Sequence, residues 1–407
     1  MLKTLKLKSG SSLKVNRGER ELSAKDVEEI PKSITPGEYV FLIDESIRKK
    51  HLAYINPHSD SFTNIRVLKT FAIEYIVNDQ ETLVKTTLKS LILNAIEKRM
   101  LFKDYQDGCR LIYGSSDSLP GLIVDMYQKQ ILIQINTAGL DKYRNEIRAI
   151  FSERFPQKQA ILFDNVEYRK HEVLPTHENE AIADDLNVLE NGLSYLIKKD
   201  SLQKIGYYYD HRENRQKLFQ MLSKVSVNLE NGLDLFSYVG SWGLHLLKAG
   251  VRHVDFVDQA NMENNIITNL KLNNFENRGT FYRRDVFKYL DELIASGKTY
   301  DVIVSDPPAF TKSEKNKHTA LLGYEKLHLK ALKLVKNNGF FIAASCTHYV
   351  DLNELDKTVQ EAGVKSGVEL QLIDIGLQGI DHPMRGFKDK SFYIKYLLYT
   401  VRRGTNE

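Results

Sequence analysis

The feature that most constrains this chain is a change of period near residue 188. From there to about residue 402, short apolar strands alternate with amphipathic helices. "NGLDLFSYV", "HVDFVDQ", "GTFYRRDVF", "YDVIVSDPPAF" and "GFFIAASC" read as strands with helical segments between them. This rhythm builds a parallel sheet covered on both faces, because parallel neighbours need a crossover, usually a helix. "ELQLIDIG" and "FYIKYLLYTV" supply two more strands, which predicts an α/β, Rossmann-like domain with a seven-stranded, mostly parallel sheet over 188–407.

The residues before it have a different texture. Residues 1–72 read as short strands, "EYVFLID", "HLAYINP" and "NIRVLKT", broken at Pro36-Gly37 and Pro57, and predict a small β-barrel. Residues 73–187 begin with the helical pattern "ETLVKTTLKSLILNAIEKRML". Leu119-Pro120-Gly121 then leads into a β-hairpin, and the acidic "PTHENEAIADD" reads as a linker, so this part is a central α+β domain. A chain of 407 residues fits three such domains.

Two distant cysteines leave no disulfide framework and no Cys-x-x-Cys metal site. No stretch has the length of a membrane span and the first residues have no signal-peptide core, so the expectation is a cytoplasmic protein with no membrane and no metal partner; a homodimer stays open. Lys and Arg total 57 against 53 Asp and Glu, a net +4, so only local clusters such as "IRKKH" point to phosphate.

In an open parallel sheet, ligands sit beyond the carboxyl ends of the strands. The polar residues fall there. Asp234 lies in the first strand of the series, Asp258 ends the second, Asp285 follows the third, Asp306 ends the fourth and Cys346 the fifth. The first loop, "FSYVGSWGLH", lacks Gly-x-Gly-x-x-Gly, which argues against a dinucleotide. Carboxylates at these positions instead suit ribose hydroxyls, an adenine amine and a cationic methionine, the groups of S-adenosylmethionine. In "SDPPAF", Pro307 and Pro308 fix the backbone and remove two donors, so Asp306 and nearby carbonyls can accept from a planar base, with Phe310 beside it. "KIGYYYDHRENR", Lys204 to Arg215, reads as a packing helix or as a lid that sets Tyr207 and Tyr208 on the adenosine and Arg212 near a carboxylate.

A free cysteine is more often a small buried hydrophobe than a nucleophile. Cys346, however, ends a strand beside "DPP" and precedes the capping box Asp351-x-x-Glu354, where a helix N-terminus lowers a thiol pKa. An ordinary thiol is only ~3% thiolate at neutral pH. A thiolate opposite a methyl donor has a clear use: addition to C6 of cytosine makes C5 nucleophilic enough to take the methyl group. Cys109 has no such setting and reads as structural.

These strings resemble the bacterial large-subunit ribosomal RNA methyltransferase I family, enzymes that use S-adenosylmethionine to make 5-methylcytosine in rRNA. "KIGYYYDHRENR", "DLFSYVG", "VDQA", "RDVFKYL", "YDVIVSDPPAF" and the "SC" before a capped helix carry the resemblance, and "SLPGLIVDMY" matches the family's central domain. The resemblance implies an N-terminal PUA-like RNA-binding domain, Cys346 as nucleophile and Asp306 on the target base. It implies Asp258 on the ribose and Asp285 near the adenine. Phe236, Tyr238 and Gly240 would line the methionine end, with Tyr207, Asp210 and Arg212 bordering the donor pocket. Three strings depart from the family: "SC" continues with Thr347-His348 rather than Ser-Gly, the start reads "RGERELSAKD", and "DHPMRGFKDKSFYIKY" lacks Pro-Glu-Gly. Two other functions remain open from sequence: methylation of a guanine nitrogen, and RNA binding on a non-catalytic scaffold.

Overall fold

The computed structural model describes residues 2–59, 63–177, 179–182, 184–202, 206–387 and 389–404. The chain folds into two compact units. One comprises Met1–Val188, Leu202–Tyr207 and Ile380–Arg385; the other comprises Leu189–Ser201, Tyr208–Gly379 and Gly386–Glu407.

In the first unit, a five-stranded sheet is ordered Lys3–Lys6, Glu38–Asp44, Lys49–Ile55, Ile65–Ala72 and Glu21–Leu22. The first pair is parallel and the rest antiparallel. Side chains alternate faces along a strand. Val40 and Leu42 therefore join Leu5, Ala53 and Val67 in one core, while Tyr39 and Phe41 face the other way into a second. That second core also takes the helix Gln80–Met100 and the four-stranded sheet Cys109–Tyr113, Leu122–Met126, Gln130–Ile135 and Gln159–Leu162. That second core takes side chains from both sides of position 72. The helix Ser9–Asn16 stands where sequence suggested only strands and loops; its Gly10 and serines give no helical signal.

The second unit carries the seven-stranded sheet read from the sequence. Its strands are β1 (Asn231–Leu235), β2 (His253–Asp258), β3 (Gly279–Arg283), β4 (Tyr300–Ser305), β5 (Val335–Ser345), β6 (Val368–Gly376) and β7 (Lys395–Arg403). The order is β3-β2-β1-β4-β5-β7-β6, parallel except that β7 runs antiparallel between β5 and β6. Helices α1 (Arg212–Leu222), α2 (Ser241–Lys248), α3 (Glu263–Leu272), α4 (Val286–Ser296), α5 (Lys317–Leu332) and α6 (Leu352–Ser366) complete it. The central strands are apolar on both faces because both are covered. Leu233, Leu235, Ile303, Phe341 and Leu397 pack against Leu290, Leu327 and Leu355 from α4, α5 and α6. On α2, Gly243 lets the helix lie on β2: a Cβ there would meet Phe256 Cε1 at 2.1 Å. The capping box expected at α6 is present, with Asp351 and Glu354 each accepting the other's backbone N–H.

Candidate active site

The strand order reverses direction between β1 and β4, the point at which loops part and leave a crevice at the carboxyl edge. Register decides what meets there. Ser305 of β4 lies opposite Ala343 of β5. Asp306 is the first residue beyond β4 and Cys346 the first beyond β5. Cys346 Sγ sits 3.6 Å from the carbonyl oxygen of Pro307. Cys346 is half-buried and Cys109 fully buried. Pro307 is buried while Pro308 is exposed, so the turn anchors one proline and presents the other.

Asp306 is held by groups that sequence reading did not single out. Trp242 Nε1 on α2 donates to its Oδ2 at 2.9 Å. His211 Nε2 lies 3.7 Å from Oδ1. The Asn214 amide donates to His211 Nδ1 at 3.0 Å and to the Leu377 carbonyl at 2.9 Å. The second contact fixes the amide's orientation, so the Asn214 amide N–H faces Nδ1 and the Nε2 edge of the ring faces Asp306. Trp242 in turn stacks on Tyr396, centroids 5.8 Å apart and planes 6° apart. The carboxylate is therefore oriented by one hydrogen bond from a packed indole, with the His211 imidazole close by. The lone tryptophan beside two glycines was the available signal; the His211 contact depends on the placement of a distant segment.

The loop after β1 has an unusual backbone. Phe236 and Tyr238 have positive φ angles of 61° and 46°, and Gly240, which opens α2, has φ 84°. Two non-glycine residues in the left-handed region within three positions mark a strained turn of the kind that clusters at functional sites. Asp234 Oδ2 accepts the Gly243 N–H at 2.8 Å and so ties β1 to α2. Its Oδ1 is buried without a partner. Burial, reinforced by the charges of Asp306 and Asp258, pushes the Asp234 carboxyl up to about 8. Asp258 accepts from the backbone N–H groups of Tyr238 at 2.9 Å and Ala260 at 2.8 Å. Burial nonetheless holds its carboxyl above the ordinary range. Asp285 is exposed and caps α4 through the Lys288 N–H at 3.0 Å. The donor set fits S-adenosylmethionine: a strand-end Asp258 and an exposed Asp285 retain lone pairs for hydroxyls and an amine, and a buried, unpartnered carboxyl oxygen lies by the loop.

The remaining expected residues divide. Asp210 accepts the Tyr393 hydroxyl at 2.7 Å, and Tyr208 lies edge-on to Tyr238 with centroids 5.3 Å apart. Arg212 is buried, its Nε 3.5 Å from Glu190, which also takes two hydrogen bonds from Arg215 at 2.6 and 2.8 Å. Burial alone would raise the Glu190 carboxyl, but Arg215 and Arg212 outweigh it and hold it below its ordinary value. Arg212 thus pairs with a carboxylate of the chain itself. Tyr207 belongs to the other unit, where its N–H donates to the Tyr127 hydroxyl at 3.0 Å. Lys204 and Ile205 of the expected lid lie outside the described residues. Phe310 packs its ring on Tyr324, centroids 4.6 Å apart, against the core. Among the described residues there is no group of side chains able to hold a metal, and no helix is long and apolar enough to cross a membrane.

A family model described as Conserved hypothetical protein 95 matches residues 211–346, the stretch that runs from the His211 contact to Cys346. Two solved structures are similar over nearly the whole chain. One is a Streptococcus mutans protein assigned as a SAM-dependent methyltransferase, with 21% identity, a TM-score of 0.75 and coverage of 98% of this chain and 100% of that one. The other is a methyltransferase complexed with SAH, with 21% identity, a TM-score of 0.76 and the same coverage. They establish the fold as that of these methyltransferases. Two curated relatives are named ribosomal RNA large subunit methyltransferase I. The Shewanella amazonensis protein is 31% identical over 300 residues, 72% of this chain and 74% of its own length. The Aeromonas salmonicida protein is 31% identical over 301 residues, 72% and 75% respectively. On this identity and coverage, the chain belongs to the ribosomal RNA large subunit methyltransferase I family.

Proposed function

We propose that the protein is an S-adenosylmethionine-dependent methyltransferase that makes 5-methylcytosine in large-subunit rRNA through a covalent adduct with Cys346. The observation that carries this reading is the 3.6 Å approach of the Cys346 sulfur to Pro307, which sets a thiol beside Asp306 at the edge of the crevice. Bound S-adenosylmethionine supplies an electrophilic methyl group. Asp258 and Asp285 hold its ribose and adenine ends, and the 236–240 turn faces its methionine end. Asp306, oriented by the Trp242 N–H, accepts from the base. The Cys346 thiolate adds to C6 of cytosine, forming an S–C6 bond and moving an electron pair to C5. After C5 is methylated, a base takes the C5 proton, the S–C6 bond breaks and the thiolate returns.

A base inside a helix must leave its stack, at a cost of a few kcal/mol. The PUA-like reading of residues 1–72 and the central domain over 73–187 assign phosphate contacts, and so register on the RNA, to the first unit, with the catalytic domain over 188–407.

The test uses large-subunit rRNA transcripts carrying 5-fluorocytosine, in which the C5 position cannot release a proton. With S-adenosylmethionine present, the wild-type chain should form an adduct stable to denaturing electrophoresis, and Cys346→Ala should form none. Undiminished methyl transfer by Cys346→Ala would overturn the mechanism, and product analysis showing methylguanine would identify the other base chemistry.

A further inference from the structure

We infer that Lys395 is a positioning residue for Cys346, holding the loop that carries the thiol and supplying the positive charge that draws it into its thiolate form. This rests on the reading of Cys346 as nucleophile. Lys395 opens β7 and lies directly opposite Ser345, the residue before Cys346, in the antiparallel register of β5 and β7. It is 1% exposed. Its ammonium donates to the carbonyl of Thr347, the residue after Cys346, and to that of Tyr393 at 3.2 Å. Both neighbours of the cysteine are therefore fixed from β7, one through the backbone ladder and one through this side chain.

A buried ammonium is costly unless an anion faces it. Among the described residues no carboxylate forms an ion pair with Lys395; Glu354 is taken by Lys317 at 2.7 Å. Burial lowers the ammonium pKa to about 8, with Cys346, Asp351 and Glu354 acting against that shift and Lys317 with it. The group is thus still mainly protonated at neutral pH, and the anion placed to face it is the Cys346 sulfur after its proton has passed to solvent. Of the other groups electrostatically linked to the thiol, Tyr208 and Tyr324 are phenols whose pKa is raised, chiefly by desolvation, and Asp306 opposes a second negative charge.

The test needs no RNA. The full chain is alkylated with iodoacetamide across a pH series, and modification of the Cys346 peptide is followed by mass spectrometry, with buried Cys109 as internal control. The wild-type midpoint should lie below the ordinary thiol value of about 8.5. Lys395→Gln keeps a donor for the two carbonyls but loses the charge. Its midpoint should rise by about one unit, slowing alkylation at neutral pH roughly tenfold while the plateau rate at high pH is kept. Lys395→Arg should restore most of the shift. A wild-type midpoint at or above the ordinary value overturns the inference even if neither variant folds, and so does an unmoved midpoint in a folded Lys395→Gln. A low wild-type midpoint combined with failure of the fluorocytosine trap would sink the nucleophile role and leave the charge pairing standing.

Discussion

Replacing Trp242 by Phe removes one hydrogen bond to Asp306 and leaves most of the ring. The indole N–H is 2.9 Å from Oδ2, and the residue is 3% exposed. A hydrogen bond to a charged partner contributes about 1.5–3 kcal/mol net. The Asp306 side chain is 21% exposed, so water can replace part of the lost contact, which selects the lower end of that range. A loss of about 1.4 kcal/mol is tenfold in rate. Trp242→Phe should therefore reduce kcat/KM for methyl transfer to rRNA about tenfold, with the effect mainly in kcat if the carboxylate's orientation matters more in the transition state than on binding. The assay is single-turnover transfer of a labelled methyl group to rRNA from cells lacking the gene, at saturating S-adenosylmethionine. The smaller ring also weakens the stack on Tyr396, so stability should fall by on the order of 1 kcal/mol, read by thermal melting. The two effects separate in the Asp306→Asn background, where Trp242→Phe should cost the same stability and little further activity. Unchanged kcat/KM in a chain that melts earlier would show that the indole packs the site without orienting the carboxylate.

Two further expectations concern buried charge. Glu190→Ala leaves Arg215 and Arg212 without their shared carboxylate in a fully buried setting and should cost about 3–5 kcal/mol, seen as a lower urea midpoint. Asp234 titrates near 8 in the folded chain and near its ordinary value when unfolded, so between about 4 and 8 the folded state holds the extra proton and stability falls as pH rises. Asp234→Asn should flatten that part of the stability–pH curve; identical curves for variant and wild type would mean the carboxyl is not protonated in the folded chain.

Much of the second unit was legible because its signals are local. Period-two and period-3.6 patterns place β1 to β7, and the acidic residues at or beside the ends of β1 to β4 need no long-range information to be noticed. Cys346 beside Asp306 follows from two strand ends once β4 and β5 are neighbours. The parts that were not legible depend on contacts between distant segments. Lys395 in "SFYIKYLLYT" carries no signal of its place until β7 is seen to insert between β5 and β6. His211 and Arg212 are adjacent in a basic run, yet one turns to Asp306 and the other to Glu190. Phe310, expected beside the base, also packs against Tyr324 and Phe287, contacts between distant segments. In the first unit, strand alternation was plain, but alternation alone does not say that both faces of a sheet are covered, which is why Tyr39 and Phe41 join a core that crosses the expected boundary.

Trp242 is the chain's one tryptophan, and its indole donates to the carboxylate assigned to the substrate base. Light absorbed selectively by that ring is emitted from inside the crevice. The emission colour and yield of the unlabelled protein thus become a direct optical gauge of whether this carboxylate is free or occupied, and donor and RNA can be titrated against it without attaching a probe.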